Sequence, residues 1–548
     1  MPGRSGSARV RAGRPRRALL AALVAAGWTS GAAWAQGPDR AGIDREIARA
    51  MEAFHVPGVA VAVVKDGERM LARGYGVREI GRPEAVDEDT LFAIASNTKA
   101  FTCAALSLLI EEGRLSWDDR VVDRLPGFQM DDPWVTREVR VRDLVTHRAG
   151  LGLGAGDLMW WPPTNFSRAE IVAGIRHLQP ASSFRSRYAY NNVMFVAAGE
   201  LVAAVSGESW DDFVRQRVLE PLGMTRTLTT SASLAGEANR ASPHIRLEGV
   251  TRAIAPGPFD NAAAAAGIRS SAADLSRWVR MLLTCSGAGD EERGEGCLLE
   301  ASSIDEMWTA QIARRPKKPR AGLEKTASSF VAYGLGFGLR EEGGHKIVSH
   351  SGALPGFYSR VSLVPDQGLG LVVLTNQESE PALDSIDRVL RDAFLGPPEP
   401  PVDWVQAFGD AARAEAEEAE AKVAEAAARR ETTSRPSLPL SAYVGRYRDP
   451  WYGAATVEPA GEGLVFTMTR TPHMVADLEP WQHDTFVARW RQAFMSDTAP
   501  ADAYVTFWIG PEGSVEKVTL KPVSPAIDFS FDFQDLELRP VPADTTDD

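Results

Sequence analysis

Hydrophobic positions change their spacing several times along the chain, and each change marks a different kind of element. Ile43–Phe54 carries one apolar stripe and reads as an amphipathic helix. Val59–Val64, the turn Lys65-Asp66-Gly67 and Glu68–Tyr75 read as a β-hairpin. Ala100–Ile110 is apolar almost all round, which predicts a central buried helix, and Gly113 supplies its stop. Helical patterns follow at Trp134–Arg142, Arg168–His177, Asn192–Ser206 and Asp211–Val218. Strand signals return at Gly334–Leu339, Lys346–His350, Tyr358–Val364 and Gly368–Thr375, the last two joined by Pro365-Asp366-Gln367, and Ala382–Phe394 closes the block as a helix. The first hairpin and this late meander would complete one antiparallel sheet with helices beside it, an α+β architecture.

Past this block the pattern breaks. Gly396-Pro397-Pro398-Glu399-Pro400-Pro401 cannot continue a helix. Asp410–Glu431 is rich in Ala and Glu with Arg and Lys interspersed, the signature of a solvated spacer helix, and Ser434–Leu440 is a second short linker. From Tyr443 onward the chain alternates and turns aromatic, through Tyr447, Phe466, Trp490, Tyr504 and Phe507. That pattern predicts a small all-β barrel or sandwich whose aromatics form core first and binding surface second. The expected organisation is residues 1–35, 36–396, 397–436 and 437–548.

Composition alters the reading mainly at the N-terminus. Six arginines between residues 4 and 17, the apolar run Ala18–Ala26 and the small-x-small Ala33-Trp34-Ala35 make residues 1–35 a secretory signal, placing the mature protein in the periplasm or outside the cell. The pair Arg16-Arg17 leaves the export route, general or twin-arginine, open. The formal charge is −13 and falls to −19 without those arginines, which leaves no electrostatic footprint for nucleic acid. No later apolar run reaches spanning length, so no integral membrane span is expected. Of the three cysteines, Cys103 falls in the buried helix, while Cys285 and Cys297 flank a polar, Gly-rich segment and are candidates for a disulfide. The eight histidines are scattered without metal-ligand spacing, and neither a metal nor another cofactor is expected.

Candidate chemistry lies at Ser96-Asn97-Thr98-Lys99, a hydroxyl and an amine one turn apart at the head of the apolar helix. An amine buried there can lose its charge and take the serine's proton. Two further elements follow in order, Tyr190-Asn191-Asn192 and His350-Ser351-Gly352. Around them stand Leu91-Phe92-Ala93-Ile94-Ala95, Thr146-His147-Arg148-Ala149-Gly150-Leu151, Glu220-Pro221-Leu222-Gly223-Met224, Gly267-Ile268-Arg269-Ser270-Ser271 and Leu354-Pro355-Gly356-Phe357.

With these phrases the chain resembles the class C β-lactamase, D-aminopeptidase and esterase superfamily of penicillin-recognising serine hydrolases over roughly residues 40–395. The resemblance implies a β-lactamase/transpeptidase-like fold, with an appended β-domain of a kind often seen in relatives. It implies Ser96 as the nucleophile of an acyl-enzyme, with Lys99 and Tyr190 sharing the proton work. Asn192 would hold Lys99 or meet the substrate amide, and the backbone N–H groups of Ser96 and Ala353 would form the oxyanion hole. Gly352 would let the strand approach the substrate closely, and His147 reads as structural. His350 is the departure: β-lactamases and transpeptidases carry lysine there, and a largely neutral histidine weakens a carboxylate site. The expected substrates are therefore small amides, peptides (D-amino-acid peptides among them) or esters. The alternatives are a weak β-lactamase or D,D-carboxypeptidase, or a penicillin-binding protein that acylates with little turnover.

Overall fold

The computed structural model describes residues 39–286, 297–493, 495 and 500–542, so the expected signal segment 1–35 lies outside the described residues. An eight-stranded antiparallel sheet organises the first unit. Its strands are β1 (Gly58–Lys65), β2 (Glu68–Gly76), β3 (Ile312–Arg314), β4 (Val331–Tyr333), β5 (Gly338–Glu342), β6 (His345–Leu354), β7 (Phe357–Val364) and β8 (Leu369–Thr375). They lie in the order β2-β1-β8-β7-β6-β5-β4-β3. The central strands β1 and β8 are apolar at nearly every position because both of their faces are covered.

Helices α1 (Arg40–Phe54) and α5 (Glu380–Leu395) cover one face. The other face meets α4 (Ala272–Cys285) and a helical layer built on α2 (Thr98–Glu111) and α3 (Val193–Ser206). Both α2 and α3 are buried almost all round, so packing rather than a polar face fixes them. Cys285 and Cys297 are bonded, their Cα atoms 5.7 Å apart.

Two expected elements of the first unit are broken in the structure. Gly334–Leu339 is not one strand: residues 334–337 form a turn between β4 and β5, closed by Gly334 N–H donating to Phe337 O at 2.8 Å. The turn packs on α2, where a Cβ at Gly336 would lie 2.9 Å from Lys99 O. The Trp134–Arg142 helix is interrupted, running Pro133–Glu138 and resuming at Val141–Leu144, because Arg140 is extended where Asp143 caps its N–H.

The spacer helix α6 (Trp404–Ala428) starts earlier than its Ala/Glu composition suggests. Trp404 is buried and donates from Nε1 to Asp392 at 2.6 Å, anchoring the first turn on α5. Beyond it eight strands close an antiparallel barrel: β9 (Gly445–Asp449), β10 (Gly453–Ala460), β11 (Gly463–Met468), β12 (Val475–Gln482), β13 (Thr485–Trp490), β14 (Ala503–Ile509), β15 (Val515–Pro522) and β16 (Glu537–Pro540). Tyr447, Phe466, Phe486 and Phe507 fill its interior, and that core runs on without a break into the helical layer of the first unit. Among the described residues no single helix is long and apolar enough to cross a membrane.

Candidate active site

Ser96 sits in a single 3₁₀ turn, Ala95–Asn97, that feeds α2. Ala95 occupies the left-handed region at φ 48°, uncommon for a residue with a Cβ, so the surroundings must hold the turn. Ser359 on β7 does so: its hydroxyl donates to Ile94 O at 2.7 Å and accepts from Asn97 Nδ2 at 2.8 Å. Gly352 on β6 lies against the same turn. A Cβ there would fall 2.1 Å from Ile94 O and 2.9 Å from Ser96 N, so only glycine brings the strand edge up to Ser96.

Lys99, one turn further, is fully buried. Its Nζ lies 2.9 Å from Ser96 Oγ, 2.7 Å from Asn192 Oδ1 and 3.0 Å from Ala265 O. The Tyr190 ring is 4.8 Å away. Burial pushes the ammonium down to about 7, against the pull of the Asp157 carboxylate. Tyr190 is half-buried, and desolvation holds its phenol well above the ordinary tyrosine value despite a hydrogen bond with Ser96. His147 backs that ring at 4.2 Å and accepts the Asn191 N–H at Nδ1, 3.1 Å away.

Asp157 completes the arrangement and carries no sequence signal. Burial raises its carboxyl to about 7, while donors from Trp160 Nε1 (2.9 Å), Asn192 Nδ2 (2.7 Å) and Ser530 Oγ (2.9 Å) pull the other way. The Asn192 amide therefore stands between Lys99 and Asp157, its oxygen toward the amine and its nitrogen toward the acid. All of this opens on a cleft of about 760 Å³ lined by Ser96, Tyr190, Asn192, His350 and Ala353.

Residues 43–396 match the family model described as Beta-lactamase. The chain belongs to the beta-lactamase family. Residues 429–540 match a second model, a domain of unknown function (DUF3471). The chain is 26% identical over 510 residues to "Unguisins hydrolase ungD" of Aspergillus violaceofuscus, covering 86% of each. It is 31% identical over 336 residues to "Penicillin-binding protein 4" of Amycolatopsis lactamdurans, covering 59% of this chain and 81% of that one. In fold it is similar to the octameric penicillin-binding protein homologue from Pyrococcus abyssi, with a TM-score of 0.58 at 23% identity, covering 91% of this chain and 99% of the other.

The remaining site residues of this beta-lactamase-family protein lie on β6. The β5 pairing stops at Ser349, so β6 presents an open edge to the cleft from His350 onward. Ala353, opposite Tyr358 in register, is exposed on that stretch. His350 is buried, and both ring nitrogens have protein partners: Nδ1 donates to Ser351 O at 2.5 Å and Nε2 accepts from Tyr333 Oη at 3.0 Å. Burial, and then Lys99, lower it to about 3, so it brings no cation to the cleft at neutral pH.

Of the residues singled out in the sequence, Ser96, Tyr190, Asn192, His350 and Ala353 line this cleft, Lys99 lies behind it against Ser96 Oγ, and Gly352 abuts the Ser96 turn. Sequence reasoning missed Asp157, the backbone acceptor Ala265 and the barrel residues Asp528, Phe529 and Ser530 that line the same cleft. Ala265 acts through its carbonyl within a run of alanines, which no side-chain pattern could flag. Trp160 and Trp161 are buried, yet line the cleft.

Proposed function

We propose that the protein is an exported hydrolase that acylates Ser96 with small amides, peptides or esters lacking a carboxylate beside the scissile bond. One observation carries the mechanism. Two of the three partners of Lys99 Nζ, Asn192 Oδ1 and Ala265 O, can only accept hydrogen bonds. A neutral amine that spends its two hydrogens on them turns its lone pair to Ser96 Oγ at 2.9 Å. With its ammonium lowered to about 7, that form is well populated at neutral pH.

Lys99 takes the hydroxyl proton as Ser96 Oγ attacks the carbonyl carbon, and the oxyanion forms against the N–H groups of Ser96 and Ala353. The Lys99 ammonium returns that proton, relayed through the Tyr190 phenol, to the leaving nitrogen or oxygen as that bond breaks, so both groups regain their starting states. Water then attacks the acyl carbonyl while giving one proton to Lys99, and the same proton passes to Ser96 Oγ as the acyl bond breaks, releasing the acid and restoring the serine. The substrate preference rests on the neutral, internally bonded His350, which supplies no counter-charge for an adjacent carboxylate. Export rests on the N-terminal segment and on the Cys285–Cys297 bond, which suits an oxidising compartment. The hydrolase name of the Aspergillus relative favours turnover over stoichiometric acylation.

Ser96→Ala should abolish labelling by an active-serine phosphonate and turnover of a D-alanine anilide and a short-chain nitrophenyl ester. Labelling that persists at another serine would refute the assignment. Stoichiometric acylation of the wild type without turnover on any of the panel, a chromogenic cephalosporin included, would replace the hydrolase with a penicillin-binding protein.

A further inference from the structure

Asp528, Phe529 and Ser530 belong to the barrel, yet they line the catalytic cleft beside Ser96 and Tyr190. They sit on the connection 523–536 between β15 and β16, which leaves the barrel and enters the first unit. Phe529 meets the Tyr190 ring edge-on at 5.7 Å, and Phe531 packs on Trp161 at 6.4 Å. Gly156 N–H donates to Asp532 Oδ2 at 2.6 Å. The receiving segment is shaped for the loop: Gly154 has φ +72°, and a Cβ there would lie 2.4 Å from Phe529 O.

One contact reaches the chemistry. Ser530 is buried, and its hydroxyl donates at 2.9 Å to Asp157 Oδ2, the same oxygen that accepts Asn192 Nδ2 at 2.7 Å. An ionised carboxylate only accepts, so it fixes which way the Asn192 amide faces: nitrogen toward Asp157, oxygen toward Lys99. The reverse amide would set its NH₂ against the amine and cost Lys99 the acceptor that aims its lone pair. A hydroxyl donated to Asp157 favours the ionised acid on which this orientation depends.

We propose that the barrel loop 523–536 is a positioning part of the catalytic machinery, Ser530 orienting Asp157, Asp157 orienting Asn192 and Asn192 orienting Lys99. This rests on the Ser96 hydrolase reading. It makes the appended barrel a contributor to the acylation step itself, and Ser530 a positioning residue that need not touch the substrate.

The test compares full-length wild type, Ser530→Ala and Ser530→Thr, each checked for an unchanged melting temperature, on a short-chain nitrophenyl ester. One charge-assisted hydrogen bond is worth about tenfold in rate. The alanine variant should lose about that much acylation kcat with little change in KM, and threonine should restore most of it. The pH profile should move as well. Without the Ser530 donor Asp157 protonates more readily, the negative charge that holds the Lys99 proton is lost, and the rising limb shifts to lower pH. An unchanged kcat and limb in Ser530→Ala, or a rise in KM alone, would reduce the loop to a cleft wall and overturn the proposal. Phosphonate labelling separates the two readings: its absence from wild type removes the hydrolase, while its presence with unaltered Ser530→Ala kinetics removes only the role of the loop.

Discussion

Among the buried charge clusters of the described residues, two are built to opposite plans. Between β5 and α5, Glu342 is gripped directly by Arg388 and Arg391, at 2.8 and 3.1 Å, and Arg391 also holds Asp387 at 2.9 Å. Burial alone would raise Glu342 and Asp387, but the surrounding guanidinium groups keep both below the ordinary carboxylate range. Both carboxylates there stay charged. In the catalytic cleft the ammonium and the carboxylate never touch, because the Asn192 amide is interposed, and both Lys99 and Asp157 are driven to about 7. A direct ion pair would have fixed Lys99 as an ammonium, useless as a base. The amide spacer passes orientation between the two groups while leaving the proton free to move.

The contrast predicts that each cluster fails in its own currency. Lys99→Met should reduce acylation by about 10³- to 10⁴-fold, the range of a lost general base. It should cost under about 1 kcal/mol of stability at pH 5, because removing a buried ammonium offsets the hydrogen bonds lost with it. Burst kinetics with the nitrophenyl ester and thermal unfolding measure the two halves. Severe unfolding of this variant would mean that Lys99 is structural. Glu342→Gln should do the reverse. Leaving Arg388 and Arg391 buried without their anion should cost about 3–5 kcal/mol in urea unfolding while kcat of the folded fraction holds. A loss of kcat without loss of stability would erase the distinction.

How far the sequence exposes each part follows the same division. Local patterns were legible: the hairpin of β1 and β2, the apolar α2 and α3, and the meander of β6, β7 and β8 all stand where hydrophobic spacing puts them. The convergence of the Ser96 hydroxyl, the Lys99 amine and the Tyr190 phenol was legible because short motifs tie residue type to spacing. The spacer helix misled at its start, since Trp404 anchors on Asp392, a partner that local composition does not reveal. Asp157 was invisible for a different reason. A lone aspartate between Gly156 and Leu158 has no pattern, and its meaning comes from Asn192, 35 residues on, and Ser530, 373 residues on. The barrel loop was hidden in the same way: its aromatics read as core because nothing in a linear pattern says which of them leave their own domain.

The finest cut at the comparison is to turn one plan into the other. Asn192→Asp would place a carboxylate against Lys99 Nζ at the position where the amide oxygen now stands, 2.7 Å away, and so build the direct pair that the cleft avoids. An adjacent anion favours the charged amine, so the folded pKa of Lys99 rises. On the proposed mechanism the free-base form of Lys99 is the active one, so activity should climb as pH passes through that pKa, about 7 in the wild type. In the variant the rising limb of kcat/KM should therefore lie at higher pH. Activity at pH 7 should drop about 10- to 100-fold and recover as the medium becomes more alkaline, since each pKa unit of displacement costs a factor of ten. Asp157, deprived of the Asn192 Nδ2 donor and facing a second acid, should stay protonated over more of that range and soften the recovery. A limb that remains at pH 7 would show that Lys99 is not the titrating base, and Tyr190 would then have to take the proton from Ser96.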